Sequence, residues 1–373
     1  MQYNWEQSDW PNFKFSIKRI EDKLYDFAQQ TGEVNALLKA LPKDIRQETL
    51  LEMILSEAIK TSAIEGEFLS REDVMSSIKN NLGLNKTPEI ISDRRASGVA
   101  DLMIDVRNGF EKQLDEETLY RWHKLLLGES NHINTGVWRK SDEPMRIVSG
   151  NLSNEEVHFE APPSSKVPKE MKNFVLWFNE SMPNGSQEIK DPVIRAGIAH
   201  LYFESIHPFE DGNGRIGRAI AEKALSQTLG RPVMLSLSGV IGKNKNAYYK
   251  ALKNAQKNNE VSSWIEYFVE TALNAQINAK LAIDFTLDKI KTFDYFKDKL
   301  NERQKKALHK MYSFGSDGFK GGMTAKKYIS INKISKATAT RDLQELEQLG
   351  ILISKGGGRS IHYILKNNID DSL

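Results

Sequence analysis

Residues 207–218 read HPFEDGNGRIGR, and the rest of the chain is organised about them. Twelve positions hold a proton acceptor (His207), a carboxylate (Asp211), a glycine-flanked loop (Gly212, Asn213, Gly214) and two arginines, Arg215 and Arg218. Neither a buried helix nor a solvated loop needs that mixture. Upstream, residues 191–206 (DPVIRAGIAHLYFESI) are apolar nearly all round, which predicts a central buried helix. Pro208 ends it, because proline lacks a donor and pushes the residue before it out of helical geometry. The Gly-Asn-Gly stretch lets backbone N–H groups converge just before a second helix, predicted over residues 215–229, so loop and helix N-terminus form a cradle for an anion. Arg215 and Arg218, three apart, share a face in the expected first turn, where the helix dipole disfavours a cation unless an anion is present. The pattern points to polyphosphate chemistry.

The same stretch matches, without gap or substitution, the motif HPFx(D/E)GNGRxxR, and through it the chain resembles the Fic/DOC family. That resemblance implies transfer of AMP from ATP to a Ser, Thr or Tyr hydroxyl of a target protein. It makes His207 the general base, Asp211 the Mg²⁺ ligand, Gly212 to Gly214 the phosphate loop, Arg215 and Arg218 the clamps on the terminal phosphates, and Phe209 the core anchor of the loop. Residue chemistry agrees: a neutral histidine near pH 7 takes a hydroxyl proton, and a metal-bridged diphosphate leaves readily. A relative that transfers another nucleotide, a phosphoryl or a phosphocholine group stays open as a reading. The complete GNGRxxR favours a triphosphate, since two arginines would otherwise be left over.

Composition bounds the rest. A chain of 373 residues exceeds what one core usually serves, and we expect three parts: residues 1–90, 91–290 and 291–373. There is no cysteine, which excludes disulfides and thiolate chemistry. The N-terminus lacks a basic start followed by an apolar run, and no segment approaches eighteen uninterrupted apolar residues, so a cytoplasmic protein without a membrane span is expected. Net charge is only +2, yet residues 301–366 carry 13 Lys and Arg against 5 Asp and Glu. The basicity belongs to the C-terminal part.

Residues 5–82 combine aromatics expected in a core (Trp5, Trp10, Phe13, Phe15) with helical patterns over 17–30 and 44–59, and Ser70 with Asp73 three residues on reads as a capped helix start. Within them, Thr61-Ser62-Ala63-Ile64-Glu65-Gly66 resembles the (S/T)xxxE(G/N) inhibitory segment of part of the Fic family, which would make Glu65 an internal inhibitor. Alone, a Glu-Gly pair is a common helix end. A helix holding Trp122 and His123 follows, its histidine expected to be structural. Arg146-Ile147-Val148 and Val157-His158-Phe159 read as short strands about a Gly-Asn turn. In the family a hairpin here, the flap, docks the target's backbone by strand addition, which assigns that role to Ile147 and Val148. By the same resemblance Tyr248, Tyr249 and Gln256 fall at adenosine contacts, although adjacent tyrosines on a helix point to different faces.

The C-terminal part has another grammar: helices over 302–312, 324–329 and 335–349, then two strands joined by Gly356-Gly357-Gly358. That order is similar to a winged helix-turn-helix, in which Lys333, Lys336, Arg341, Lys355 and Arg359 would meet DNA phosphates with Thr338 or Thr340 near base edges. Protein docking uses the same module, so DNA and protein both stand as partners, and the oligomeric state, a homodimer included, is left open. The fold class expected is mainly α: a Fic-type helical core with a β-hairpin flap, plus the C-terminal winged helix-turn-helix. Against the adenylyltransferase reading stands a transcription regulator whose core only senses a nucleotide.

Overall fold

The computed structural model describes residues 2–128, 133–141, 143–149, 156–315 and 318–366. The protein is mainly helical, with two small antiparallel hairpins among the described residues. In order come α1 (Glu21–Ala40), α2 (Lys43–Ile64), α3 (Arg71–Asn81), α4 (Arg94–Asn108), α5 (Glu116–Leu127), β1 (Arg146–Ser149), β2 (Glu156–Glu160), α6 (Val167–Glu180), α7 (Pro192–Ile206) and α8 (Asn213–Leu229). There follow α9 (Leu237–Ile241), α10 (Lys245–Ala255), α11 (Ser262–Tyr295), α12 (Glu302–Tyr312), α13 (Ala325–Asn332), α14 (Lys336–Gln348), β3 (Leu352–Lys355) and β4 (His362–Leu365). The chain divides into two compact units, residues 1–36 with 50–277 and residues 37–49 with 278–373.

The first unit is built on α7. Every residue of it from Val193 to Ile206 is buried, as its apolar circumference requires. Asp191 starts the helix by accepting the N–H groups of Val193 and Ile194, both at 2.9 Å, with Pro192 in the first turn where its missing donor costs nothing. Arg195 is fully buried on this apolar helix because its guanidinium finds five acceptors, among them the carbonyls of Phe178 and Ala224 and the side chain of Gln227. Against α7 pack α8 and the rings of Phe174 and Trp264. The N-terminal aromatics sit at the rim of this core and are half-buried: Trp10 and Phe13 meet Tyr202 edge-on. Helix α1 starts four residues later than the apolar pattern suggested and runs ten further, and α2 continues to Ile64. In the first hairpin Arg146 faces Glu160 and Ile147 faces Phe159, with a bulge after Ile147. The Gly-Asn turn expected there, and the side chain of Val148, lie outside the described residues.

The second unit has its own core of Leu300, Leu308, Met311, Tyr328, Leu343, Leu346 and Tyr363. Asp342 is buried within it, paired with Arg303 Nε at 2.7 Å and accepting the Tyr328 hydroxyl at 3.1 Å. Burial alone would raise that carboxyl, but Arg303 and Tyr328 hold it below its usual value. Met323 exchanges both backbone hydrogen bonds with Tyr363, adding a short third pairing beside the β3–β4 hairpin.

Candidate functional site

The site grows from the C-terminus of α7. His207 closes that helix in the left-handed region (φ 49°), its N–H donating to the Phe203 carbonyl at 2.9 Å. A non-glycine residue is rarely left there without support. Arg139, buried, supplies it: Nε donates to the His207 carbonyl at 2.8 Å, while the rest of the guanidinium ties down Pro162, Ser164 and Ile206. Desolvation pulls the Arg139 guanidinium down to about 10. Phe209 is wholly buried and stacks on the His123 ring at 4.0 Å between centroids. Asn213 latches the loop, accepting the Phe209 N–H and donating to its carbonyl, both at 2.9 Å.

His123 is structural, as expected, and it supports the same loop. Its Nδ1 accepts the Gly136 N–H at 2.8 Å, so the hydrogen lies on Nε2, which faces the Asp211 carbonyl at 3.1 Å. Desolvation lowers this imidazole to about 4 and keeps it neutral. Gly212 holds φ +78°, and a Cβ there would press on Leu126. At Gly214 a Cβ would collide with the Glu65 carboxylate, so the loop approaches that side chain as only glycine permits. The first N–H groups of α8 have no acceptor within the helix.

Both arginines are occupied by carboxylates of one segment. Arg218 donates to Glu65 at 2.7 Å, with side chains 2% and 29% exposed. Arg215 donates to Glu67 at 2.7 Å and lies 3.7 Å from Asp211. One detail corrects the sequence reading: helix α8 begins at Asn213, which moves Arg218 into the second turn. The Arg218–Glu65 contact is a single hydrogen bond from Nη2, and Thr61 accepts from Nε through Oγ1 (2.8 Å) and from Nη2 through its carbonyl (3.0 Å). Burial alone would lower the Arg218 guanidinium, but the Glu65 carboxylate reverses the sign and raises it. Gly66, at φ +85°, turns the chain after α2, and Lys245 fixes that end by donating to the carbonyls of Ala63 and Ile64. Nη1 of Arg218 and Nε of Arg215 remain buried without an acceptor. Such donors fit an anion.

A cavity of about 640 Å³ lies against this loop. His207, Asp211, Gly212, Asn213, Gly214 and Glu65 form one side of it, and Ile147 and Phe159 of the hairpin another. Tyr248, Tyr249 and Gln256 line it as well, with unequal access: Tyr249 is exposed, whereas Tyr248 is buried with its hydroxyl 2.8 Å from His200 Nε2, and Gln256 is buried, donating to the Glu204 carbonyl. The Asp211 carboxylate is half exposed at the mouth. Among the described residues no three His, Cys, Asp or Glu side chains cluster as a ready-made metal cage. One open carboxylate beside a phosphate cradle is nonetheless the donor set Mg²⁺ takes when it shares its shell with a bound nucleotide.

The sequence reading missed Arg139, Glu67, Lys245 and Glu204. Only Glu204 left a signal: a lone carboxylate on an otherwise apolar helix, three residues before His207.

Residues 113–225 match the Fic/DOC family model, and residues 3–84 match a domain of unknown function, DUF4172. The chain carries a Fic/DOC domain. A probable protein adenylyltransferase of Aquifex aeolicus is 29% identical over 147 residues, 39% of this chain and 39% of that protein. Protein adenylyltransferase fic-1 of Caenorhabditis elegans is 24% identical over 180 residues, 47% of this chain and 32% of that protein. The match thus spans only about a third of the length of these curated relatives. The crystal structure of a Fic family protein from Desulfovibrio desulfuricans G20 superposes with a TM-score of 0.54 at 19% identity, over 96% of this chain and 99% of that one. A Fic domain containing signaling protein from Bacteroides thetaiotaomicron gives 0.52 at 19% identity, over 68% and 95%. These likenesses are of fold. No helix among the described residues is long and apolar enough to cross a membrane.

Proposed function

We propose that the protein transfers AMP from ATP to a Ser, Thr or Tyr hydroxyl of a target protein and is held in check by its own Glu65. The observation that carries this reading is the arrangement of His207, Asp211, the glycine loop and Glu65 around a single cavity, with the two buried arginines of the same loop and helix held by internal carboxylates. The terminal phosphates of ATP would take Arg215 and Arg218 and the free N–H groups at the start of α8. Tyr249 offers an open ring face to the base. Bound with the nucleotide, Mg²⁺ on Asp211 would neutralise the diphosphate and make it a better leaving group. His207 takes the hydroxyl proton, the freed oxygen attacks the α-phosphorus, and the bond to the β-phosphate oxygen breaks to release pyrophosphate. Strand β1 has only β2 as a neighbour among the described residues, so Ile147 and Val148 offer backbone to an extended target segment.

Glu65 on Arg218 and Glu67 on Arg215 stand where phosphates would go. A nucleotide that cannot seat its γ-phosphate binds with its α-phosphate out of line for attack. The test is incubation with Mg²⁺ and ATP labelled at either the α or the γ position. Protein-bound label from the α position alone supports AMP transfer. Label from the γ position would mean phosphoryl transfer.

For the second unit, the order α12, α13, α14, β3, β4 supports a winged helix-turn-helix, and exposed Lys336 and Arg341 on α14 support a surface for DNA phosphates. Thr338 and Thr340 are less suited to base edges, since both hydroxyls are bonded locally, to Ser335 and to the Lys336 carbonyl. The side chain of Arg359 lies outside the described residues. A gel shift with duplex DNA at two salt concentrations tests this part separately.

A further inference from the structure

Glu204 has no assigned task, and its position is costly. It lies in the last turn of α7, 3% exposed, on a helix buried along its whole length. A buried carboxylate there works against stability unless something nearby repays it. Its Oε2 is 3.5 Å from Nδ1 of His207. Both Oε1 of Glu204 and Nδ1 of His207 are sealed from solvent and lack any other hydrogen-bond partner. The fold also reserves space for this carboxylate. A Cβ on Gly217 would collide with Oε1, so the glycine between Arg215 and Arg218 answers to Glu204 and not to phosphate.

We propose that Glu204 is the positioning residue for His207: its carboxylate takes the Nδ1–H of the imidazole, leaving the Nε2 lone pair turned to the cavity as the proton acceptor. This rests on reading His207 as the general base. An ionised carboxylate only accepts, so a hydrogen on Nδ1 is the one arrangement in which the two groups attract. Arg139 and the Phe203 carbonyl already fix the backbone of His207. The ring's own rotation is the freedom left, and Glu204 removes it. When His207 takes a proton, the same carboxylate stabilises the imidazolium. The gap of 3.5 Å is a few tenths longer than a formed bond, which is common for catalytic pairs before substrate arrives. The other charged and titratable groups near the pair are His200 on α7, Arg218 on α8, Tyr248 and Tyr249 on α10, Glu65 after α2 and Arg139. Burial alone would raise the Glu204 carboxyl, yet His207, His200 and Arg218 hold it below its usual value, which keeps it ionised.

Two measurements test this. The first is ¹⁵N NMR of the full chain with labelled histidine, His207 being assigned from His207→Asn. The neutral ring is expected with its hydrogen on Nδ1 in the wild type, and as a mixture of tautomers in Glu204→Gln. A wild-type ring with its hydrogen on Nε2 overturns the proposal. The second starts from the Glu65→Gly chain and compares the kinetics of its α-labelled ATP incorporation with those of the same chain carrying Glu204→Gln in addition. Glu204→Gln should lower kcat roughly 10- to 100-fold with KM for ATP little changed. An unchanged kcat overturns the proposal, whereas a merely structural residue would lower melting and active fraction and leave the ring's tautomer as in the wild type. The expected NMR result with no label transferred by any chain would uphold the Glu204–His207 pairing and overturn the transfer reading instead.

Discussion

Glu65→Gly is the substitution whose size the structure sets. Glu65 makes one hydrogen bond to Arg218, at 2.7 Å, and the pair is largely shielded from water on the arginine side. A hydrogen bond to a charged group at such a site is worth about 1.5–3 kcal/mol, and each 1.4 kcal/mol is a factor of ten. If that bond is what keeps the γ-phosphate away from Arg218, its loss shifts the balance toward the productive complex by roughly 10- to 150-fold, and labelling should rise by the same factor. The rise is limited from above, because Arg218 keeps its two bonds to Thr61 and is not released into the cavity. The assay is incorporation of α-labelled ATP by wild type, Glu65→Gly and Glu65→Gly with His207→Ala, alongside thermal melts. The single variant should label faster and the double variant not at all. A Glu65→Gly chain that labels no faster than wild type while melting lower would show that Glu65 only ends α2.

His207→Ala should abolish label transfer while leaving ATP affinity, read by titration calorimetry, within about twofold, since the base acts on the hydroxyl and not on the nucleotide. Glu67→Gln frees Arg215 from its partner and should tighten ATP binding several-fold, by about 1 kcal/mol for a partly exposed pair, without the full activation of Glu65→Gly. Glu222 is buried on α8 and desolvation raises it from 4.5 to about 7, against the pull of Arg107. A raised carboxyl stabilises the fold at low pH and loses that contribution as pH climbs from 4.5 to about 7, a change of about 3 kcal/mol. Urea titrations of Glu222→Gln and wild type should therefore differ increasingly in favour of the variant across that interval, and parallel curves would refute it.

The parts of this protein legible in the sequence were those in which neighbours along the chain are also neighbours in space. Residues 207–218 carry base, loop and arginines in one short run, so their joint role follows from spacing alone. The apolar circumference of α7 and the Asp191-Pro192 start fixed its burial and its beginning. The three C-terminal helices and their strands were visible for the same reason, and the caps the structure shows at Asn301, Thr324 and Ser335 are local as well. Tertiary structure decided what no spacing contains. Thr61, Glu65 and Glu67 lie about 150 residues from Arg215 and Arg218, and only the packing of α2 beside α8 decides which carboxylate meets which arginine and that Thr61 shares Arg218 with Glu65. Arg139 looks like any surface arginine until its guanidinium is buried against the His207 carbonyl. Glu204 and Gly217 become intelligible together, because a carboxylate on one buried helix needs its space from the next. A short motif names the chemistry, while the groups that aim, hold and block it come from distant chain, where side-chain identity carries no record of its partner.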